Sequence, residues 1–177
     1  MITVYVPARP LRAAVARVIL GWMRRPAPLF LLALTACAHA PLAPGRYAVL
    51  PASEAAAAVE QCSRWTPKIT GGWELTAADA EQVEQALRRN SRLRATECCF
   101  LGARMPDPDG YYRQYAGVIY EGKRYVYVNA FAMRTVSNAA WRTHAFNRFC
   151  DGGSAFWGVL YDPATGRMSH LAFNGTA

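Results

Sequence analysis

The chain has 177 residues, of which 53% are hydrophobic and 18% are charged, a composition typical of a folded globular protein and not of a disordered or fibrous one. Its formal net charge of +8 would suit an anionic partner such as nucleic acid. The first 36 residues, however, carry five arginines and no acidic residue, so the remaining chain has 15 basic and 12 acidic residues. This near balance argues against nucleic acid as a partner. The 141 residues from Cys37 onward are enough for one compact core.

The first 36 residues are predicted to be a leader. From Met23 the chain has two arginines, an apolar run at residues 29–34 and then small residues, which is the layout of an export signal. The apolar run is too short to cross a bilayer, which needs about 20 apolar residues. We therefore expect a signal peptide at residues 23–36 and a true start at Met23. The alternative is that residues 15–23 form an amphipathic, membrane-skimming helix.

Leu34-Thr35-Ala36-Cys37 ends this leader and resembles the lipobox of bacterial lipoprotein precursors. The resemblance implies cleavage before Cys37 and attachment of lipid to its thiol. Ala38 follows, and it is similar to the pattern that lets a lipoprotein leave the inner membrane. We therefore expect a protein of the bacterial cell envelope, held in the outer membrane by an N-terminal lipid and facing the periplasm. Residues 37–46 would be its tether and residues 47–177 its single domain.

Four more cysteines follow in the domain: Cys62, Cys98, Cys99 and Cys150. Export to an oxidising compartment makes them candidates for two disulfides. Because a bond between adjacent cysteines is strained, we expect Cys62 and Cys150 each to pair with one of the other two. The chain lacks the C-x-x-C and H-x-x-x-H spacings of a metal site, so we expect neither a metal nor another cofactor.

Two helices are predicted in the first half of the domain. An alanine-rich segment at residues 53–62 predicts a helix with Ser53 as its N-cap. Thr76 and Asp79 form a capping-box-like start for a second helix from residue 77. The apolar stripe of that helix is Ala80, Val83 and Leu87. Residues 46–51 are either a first edge strand or only the start of the domain.

Two hairpins are predicted in the second half. Residues 111–119 and 124–130 are rich in strand-forming residues and flank a turn that contains Gly122. Residues 155–161 and 168–173 flank a turn that contains Pro163 and Gly166. Residues 137–149 between the hairpins are either a short helix or an ordered loop. This order predicts an α+β fold with a four-stranded antiparallel sheet packed on one main helix, similar in element order to cystatin-like or PepSY-like domains.

Alternation along the first hairpin predicts one face that is rich in tyrosine. This face suggests an exposed surface for a protein partner, made of Arg113, Tyr115, Tyr125, Tyr127 and Trp157. The alternative is that the tyrosines only pair across the strands and stabilise the sheet. Residues 151–158 and the Tyr-Asp-Pro turn that follows resemble the C-terminal part of an uncharacterised group of small bacterial lipoproteins. That resemblance implies no activity.

The sequence contains no G-x-S-x-G, P-loop or H-E-x-x-H motif. We therefore expect a non-catalytic, lipid-anchored envelope protein that binds or inhibits another envelope protein or supports envelope assembly. The alternative is an envelope hydrolase or thiol enzyme with an unfamiliar site near His144, Cys150 and Asp151.

Overall fold

The computed structural model describes residues 45–176, so the leader, the lipobox and Cys37 lie outside the described residues. Within that range the chain has six strands and two α-helices, which confirms the α+β class. The strands are β1 (Tyr47–Val49), β2 (Gly71–Gly72), β3 (Tyr111–Tyr120), β4 (Lys123–Ala132), β5 (Phe156–Asp162) and β6 (Arg167–Phe173). The helices are α1 (Ala55–Val59) and α2 (Ala77–Arg89).

These strands form one mixed sheet in the order β1-β3-β4-β5-β6, with β2 also paired to β3. The two predicted hairpins are present as β3–β4 and β5–β6, and β4 pairs antiparallel with β5. The prediction of a four-stranded antiparallel sheet is nevertheless wrong, because β1 adds a parallel neighbour to β3 and β2 adds an antiparallel one. Of the two alternatives for residues 46–51, the structure shows the edge strand, β1, whereas a strand of two residues such as β2 is too short for alternation in the sequence to predict.

Short segments of the chain pair with the outer sides of the long strands β3 and β6. Strand β1 pairs with the first half of β3, and β2 pairs with residues near its end. At the opposite edge, the backbone amides of Thr96, Glu97 and Cys99 donate to the carbonyls of Leu171 and Phe173 in β6. The backbone groups at these edge positions therefore find partners within the chain.

Helix α2 begins where the sequence predicts. The Thr76 hydroxyl accepts a hydrogen bond from the Asp79 amide at 3.2 Å, and the Asp79 carboxylate accepts one from the Thr76 amide at 2.7 Å. These two bonds complete the capping box. Val83 and Leu87 are fully buried against the sheet, together with Ala80. Burial of each larger side chain contributes about 1.5–3 kcal/mol.

Helix α1 is shorter than the predicted helix at residues 53–62. A 3-10 turn at Ala52–Glu54 precedes it, so Ser53 lies within that turn and is not an N-cap. The Glu54 carboxylate accepts a hydrogen bond from the backbone amide of Ala145, far away in the sequence. Residues 137–149 form an irregular, ordered loop with one short 3-10 turn at Ala140–Arg142.

The sheet is covered on both faces. Helix α2 packs on one face, here called the helix face, over the largest cluster of buried side chains. On the other face, here called the loop face, α1 and residues 61–70 and 137–149 cover two smaller clusters. Consecutive residues of β4 and β5 are therefore buried, whichever face they point to.

The cysteine pairing differs from the expected one. Cys62 is bonded to Cys150, and Cys98 is bonded to the adjacent Cys99. Cys62 follows α1 and Cys150 ends the long loop, and their α-carbons lie 5.0 Å apart because both segments cover the loop face. Cysteine spacing cannot reveal such a pairing, since it depends on the tertiary path of the chain. The Cys62–Cys150 bond has a sequence separation of 88, for which chain entropy contributes about 4–5 kcal/mol to stability.

Candidate functional site

Most of the residues predicted to form an exposed partner-binding surface are buried. Arg113, Tyr115 and Trp157 are fully enclosed, and Tyr127 is 1% exposed. Only Tyr125 is partly accessible. The prediction is wrong for the other four because coverings lie on both faces of the sheet. Alternation along β3 and β4 therefore separates two buried faces and not a buried face from an exposed one.

Arg113 and Tyr115 belong to a buried ionic cluster on the helix face. The Arg113 guanidinium donates to the Glu84 carboxylate from Nε at 3.1 Å and from Nη2 at 3.4 Å. The Tyr115 hydroxyl donates to the same carboxylate, and Arg113 Nη1 donates to the backbone carbonyls of Pro108 and Tyr111. Burial raises the pKa of Tyr115 well above its usual value, so its hydroxyl stays neutral.

Arg64 forms a second buried polar cluster, on the loop face. Its guanidinium donates to the Tyr127 hydroxyl at 3.1 Å, to Asn174 Oδ1 at 3.1 Å and to Asn129 Oδ1 at 2.5 Å. Asn129 in turn donates to Gln114 Oε1 at 2.9 Å. In the described part of the chain, no carboxylate forms an ion pair with Arg64. Both buried clusters hold the sheet to its coverings, and neither presents a surface to a partner.

Near the end of β3 lie four partly accessible rings, which we call the aromatic cluster: Trp65, Tyr120, Tyr125 and His170. Trp65 and His170 stack, with 4.6 Å between ring centroids and 17° between ring planes. Tyr120 lies beside this stack, 6.2 Å from each of the two centroids and nearly perpendicular to both rings. Tyr125 lies 5.9 Å from Tyr120. The four rings thus form one continuous group drawn from three distant parts of the chain.

Polar groups surround the imidazole of His170. Its Nδ1 lies 3.0 Å from the Ser169 hydroxyl, and its Nε2 lies 3.9 Å from the Glu97 carboxylate. The side chains of His170 and Glu97 are 34% and 28% exposed, so solvent reaches both. His170 has a φ of +57°, in a stretch where the pairing of β5 and β6 is irregular. A residue with a side chain adopts this conformation at a cost, and such residues concentrate at functional sites.

Carboxylates also lie close to Tyr120. A hydrogen bond with Glu121 raises the pKa of the Tyr120 hydroxyl, with further contributions from burial and from nearby charges, that of Glu97 among them. The hydroxyl therefore remains a neutral donor. Flat rings supply contact area, and the hydroxyl and carboxylates supply direction, which is the combination found at protein recognition surfaces.

Only part of the aromatic cluster is predictable from the sequence. Tyr125 belongs to the predicted surface, and Tyr120 lies beside the predicted glycine turn, where exposure of a strand end is expected. Trp65 lies between predicted elements, and the positive φ of His170 has no local signal. The proximity of Trp65 to His170 depends on how residues 61–70 cross the loop face, which no short pattern indicates.

A second exposed feature lies at the other end of the sheet. Three large apolar side chains are exposed there, which we call the apolar tip: Phe100 (45%), Leu101 (72%) and Phe149 (41%). Phe100 directly follows the Cys98–Cys99 pair, and Phe149 directly precedes Cys150. Each exposed ring is therefore next in sequence to a disulfide-bonded cysteine.

The residues considered for a thiol enzyme do not supply a thiol. Cys150 is bonded to Cys62. His144 lines a pocket of about 250 Å³, where its Nδ1 lies 2.9 Å from the hydroxyl of the neighbouring Thr143. Asp151 is exposed beside Cys150. Over residues 45–176, the structure has no group of three His, Cys, Asp or Glu side chains placed to hold a metal ion.

Comparison with known proteins supplies no relative from which a function can be carried over. No protein-family model, no curated protein and no solved structure matches the chain. The likeness to cystatin-like or PepSY-like domains and the likeness to small bacterial lipoproteins therefore stay predictions from the sequence. None of the helices described for this chain is long and apolar enough to span a bilayer.

Proposed function

We propose that the chain is a bacterial lipoprotein, anchored through Cys37 in the outer membrane and facing the periplasm, whose domain binds another envelope protein without catalysing a reaction. The leader and the Leu34-Thr35-Ala36-Cys37 motif at its end support the anchor. One observation carries the binding role: the aromatic cluster is partly open to solvent while its rings are held in place by the fold.

The aromatic cluster suits protein recognition because its rings are already positioned. The backbone amide of Trp65 donates to the Cys98 carbonyl at 3.3 Å, and its indole is stacked on His170. A ring that is fixed beforehand loses little conformational entropy when a partner binds, and it still offers a large contact area. The Glu97 carboxylate and the Tyr120 hydroxyl add an acceptor and a donor that can orient the partner.

The position of the cluster suits a tethered protein. Tyr120 is the last residue of β3, whereas Tyr47 pairs with Arg113 near the start of that strand. The ten residues of β3 span about 30 Å. A domain held to the membrane through residues 37–44 therefore presents the cluster about 30 Å beyond the point where the tether joins it. At that distance the cluster is accessible to a periplasmic partner.

The test of the binding role places a photo-crosslinking amino acid at Tyr120 in the full-length protein in living cells. The matched control carries the same amino acid at Tyr112, which is also on β3 and also packed against an aromatic ring, Trp141, at the opposite end of the strand. We expect an adduct with one envelope protein from position 120 and none from position 112. Trp65→Ala should weaken that adduct without changing the amount of protein.

The proposed binding role fails if position 120 gives no adduct, or if both positions give the same adducts. The anchor is tested separately, by metabolic labelling with a clickable fatty acid. We expect the label on the wild-type protein and its loss in Cys37→Ser. An unlabelled wild-type protein would contradict the anchor and leave the crosslinking result to stand by itself.

One observation favours a second candidate function, an envelope hydrolase. The Ser169 hydroxyl, the His170 imidazole and the Glu97 carboxylate lie side by side in space, with the imidazole between the other two groups. In this arrangement His170 Nδ1 would take the proton of the Ser169 hydroxyl as that oxygen attacks the substrate carbonyl, and the Glu97 carboxylate, 3.9 Å from Nε2, would stabilise the resulting imidazolium by its charge and not by a hydrogen bond. A fluorophosphonate probe that labels the wild-type protein but not Ser169→Ala would support this function. Absence of labelling together with the crosslink at position 120 would favour the binding role.

A further inference from the structure

Two of the three side chains of the apolar tip, Phe100 and Phe149, lie near one glycine turn, Gly152–Gly153. Phe100 Cζ lies 3.4 Å from the position that a Cβ on Gly153 would occupy, so Phe100 packs over the glycine turn. The Phe156 ring packs against the neighbouring Gly152, and the Phe149 ring centroid lies 4.9 Å from that of Phe156. Leu101 follows Phe100 and is the most exposed of the large apolar side chains described. Phe100 and Phe149 therefore lie near the same turn, and Leu101 is next to Phe100 in the chain.

The backbone beneath the tip is held in place. The Cys99 amide donates to the Phe173 carbonyl at 3.1 Å, and the Gly153 amide donates to the Gly175 carbonyl at 2.9 Å. The Asn174 side chain donates to the Phe149 carbonyl at 2.7 Å. The tip thus needs little ordering before it contacts a partner, and exposed apolar groups that are pre-ordered mark a contact surface.

The tether joins the domain at the same end of the sheet as the tip. Tyr47, Arg113, Ala130, Trp157 and Phe173 form one row across the sheet. Gly45 lies two residues before Tyr47, the β1 member of this row. The Gly152–Gly153 turn precedes β5 and residues 174–176 follow β6, so both lie at the same end of the sheet as Gly45. Four strand spacings, about 19 Å, separate the two edges of the sheet. Cys37 and Gly45 are eight residue steps apart, a length of chain that would reach about 25 Å if extended, so a lipid on Cys37 would lie within reach of the tip.

Charge at this end of the domain also suits a lipid surface. Exposed arginines lie at Arg94, Arg134, Arg142 and Arg148. Arg148 precedes Phe149, and the Arg94 guanidinium donates to the Gly102 carbonyl, one residue after Leu101. Arg104, which forms an isolated bridge with Arg94, is also exposed, and the exposed acidic residues near this end are Glu60, Asp107, Asp109 and Asp151. Apolar side chains flanked by arginines are the pattern of an interfacial membrane contact, in which the rings enter the acyl region and the cations meet anionic headgroups.

We propose that the apolar tip inserts into the lipid surface that holds Cys37, giving the protein a second membrane contact. This inference rests on the anchor of the proposed function and is separate from the binding role of the aromatic cluster. The lipid and the tip together would fix the orientation of the domain, with Tyr120 directed away from the bilayer.

The test uses the full-length protein, purified with its anchor and reconstituted into vesicles of phosphatidylethanolamine and phosphatidylglycerol that carry a diazirine on a lipid acyl chain. Adducts are mapped by mass spectrometry of peptides. We expect them on peptides that contain residues 100–101 and 149, and not on the peptide that contains the Glu121–Gly122 turn. Leu101→Ser should lower the tip adducts about tenfold, because it removes the apolar side chain that would enter the lipid. The Leu101 side chain is exposed, so this change should leave the fold intact.

A matched pair of variants tests the charge. Arg148→Gln, beside the tip, should lower the adducts about fivefold in vesicles that contain phosphatidylglycerol and leave them unchanged in phosphatidylcholine vesicles. Arg167→Gln, exposed at the distant β5–β6 turn, should have no effect in either kind of vesicle.

The mass of the peptide that carries Cys37 shows in the same sample whether the anchor is present. A lipidated Cys37 with an unlabelled tip would overturn this inference and leave the proposed anchor standing. The same holds if a second copy of the chain, and not lipid, covers the tip. An unmodified Cys37 with a labelled tip overturns the anchor alone.

Discussion

Arg113 and Arg64 are both buried, yet the two faces of the sheet accommodate their charges differently. On the helix face, Arg113 is paired with the Glu84 carboxylate. On the loop face, Arg64 is surrounded by the neutral oxygens of Tyr127, Asn129 and Asn174. A regular helix can place one carboxylate opposite one strand residue. An irregular covering leaves many separate acceptors to satisfy, and a guanidinium with five N–H donors can serve several of them at once.

The comparison predicts that the helix face depends more on its arginine than the loop face does. Arg113→Leu leaves the Glu84 carboxylate buried without a counter-ion, which should lower the free energy of unfolding by about 3–5 kcal/mol. Urea denaturation followed by circular dichroism measures this loss. The double variant Glu84→Leu/Arg113→Leu should recover part of it, since no charge is then stranded. A double variant that is less stable than Arg113→Leu would show that the ion pair is not the source of the effect.

Arg64→Met should have the second-largest effect, about 1.5–3 kcal/mol in the same denaturation experiment. This change removes the donors to Asn129 and Asn174 but leaves no buried charge behind. Glu81→Met, on the exposed side of α2, is the matched control and should change stability little. If Arg64→Met lowered the free energy of unfolding as much as Arg113→Leu does, the helix face would not depend more on its arginine than the loop face.

Alkaline pH should produce the smallest effect. The pKa of Tyr115 is raised by burial, so the folded protein keeps this proton above pH 10, where the unfolded chain releases it. Stability should therefore be intact below about pH 10 and fall above it, by at most about 1.4 kcal/mol per pH unit for this group. Tyr115→Phe should reduce that slope when unfolding free energies are measured between pH 9 and 11. An unchanged slope would mean that other tyrosines account for all of the alkaline loss.

The helix face was the more predictable of the two. The Thr76–Asp79 capping box and the spacing of Val83 and Leu87 are local signals, and they correctly predict where α2 begins and which side it buries. The two hairpins were predictable for the same reason, because strand-forming runs flank short turns. Strand β1 lies within residues 46–51, for which the sequence left an edge strand and the start of the domain as alternatives, whereas the two-residue β2 acquires its conformation by pairing with β3 and has no local signal.

The loop face and the candidate site depend on contacts between distant segments. Cys62 meets Cys150, Arg64 meets Asn174, and Trp65 meets His170, and each pair is joined only by the path of residues 61–70 across the sheet. The tyrosines of β3 and β4 show the same limit. Their alternation was visible in the sequence, but the sequence did not show that a second covering buries the outer face.

The pairing along the outer sides of β3 and β6 has a consequence if the proposed anchor holds the protein at a membrane. Proteins tethered to a bilayer are crowded in two dimensions, and an open strand edge would let neighbouring copies join strand to strand. In this domain β1 and β2 pair with one edge, and the amides of Thr96 and Cys99 bond to the other. At these positions of β3 and β6, copies brought together by the proposed anchor should not join strand to strand, even when surface concentration is high.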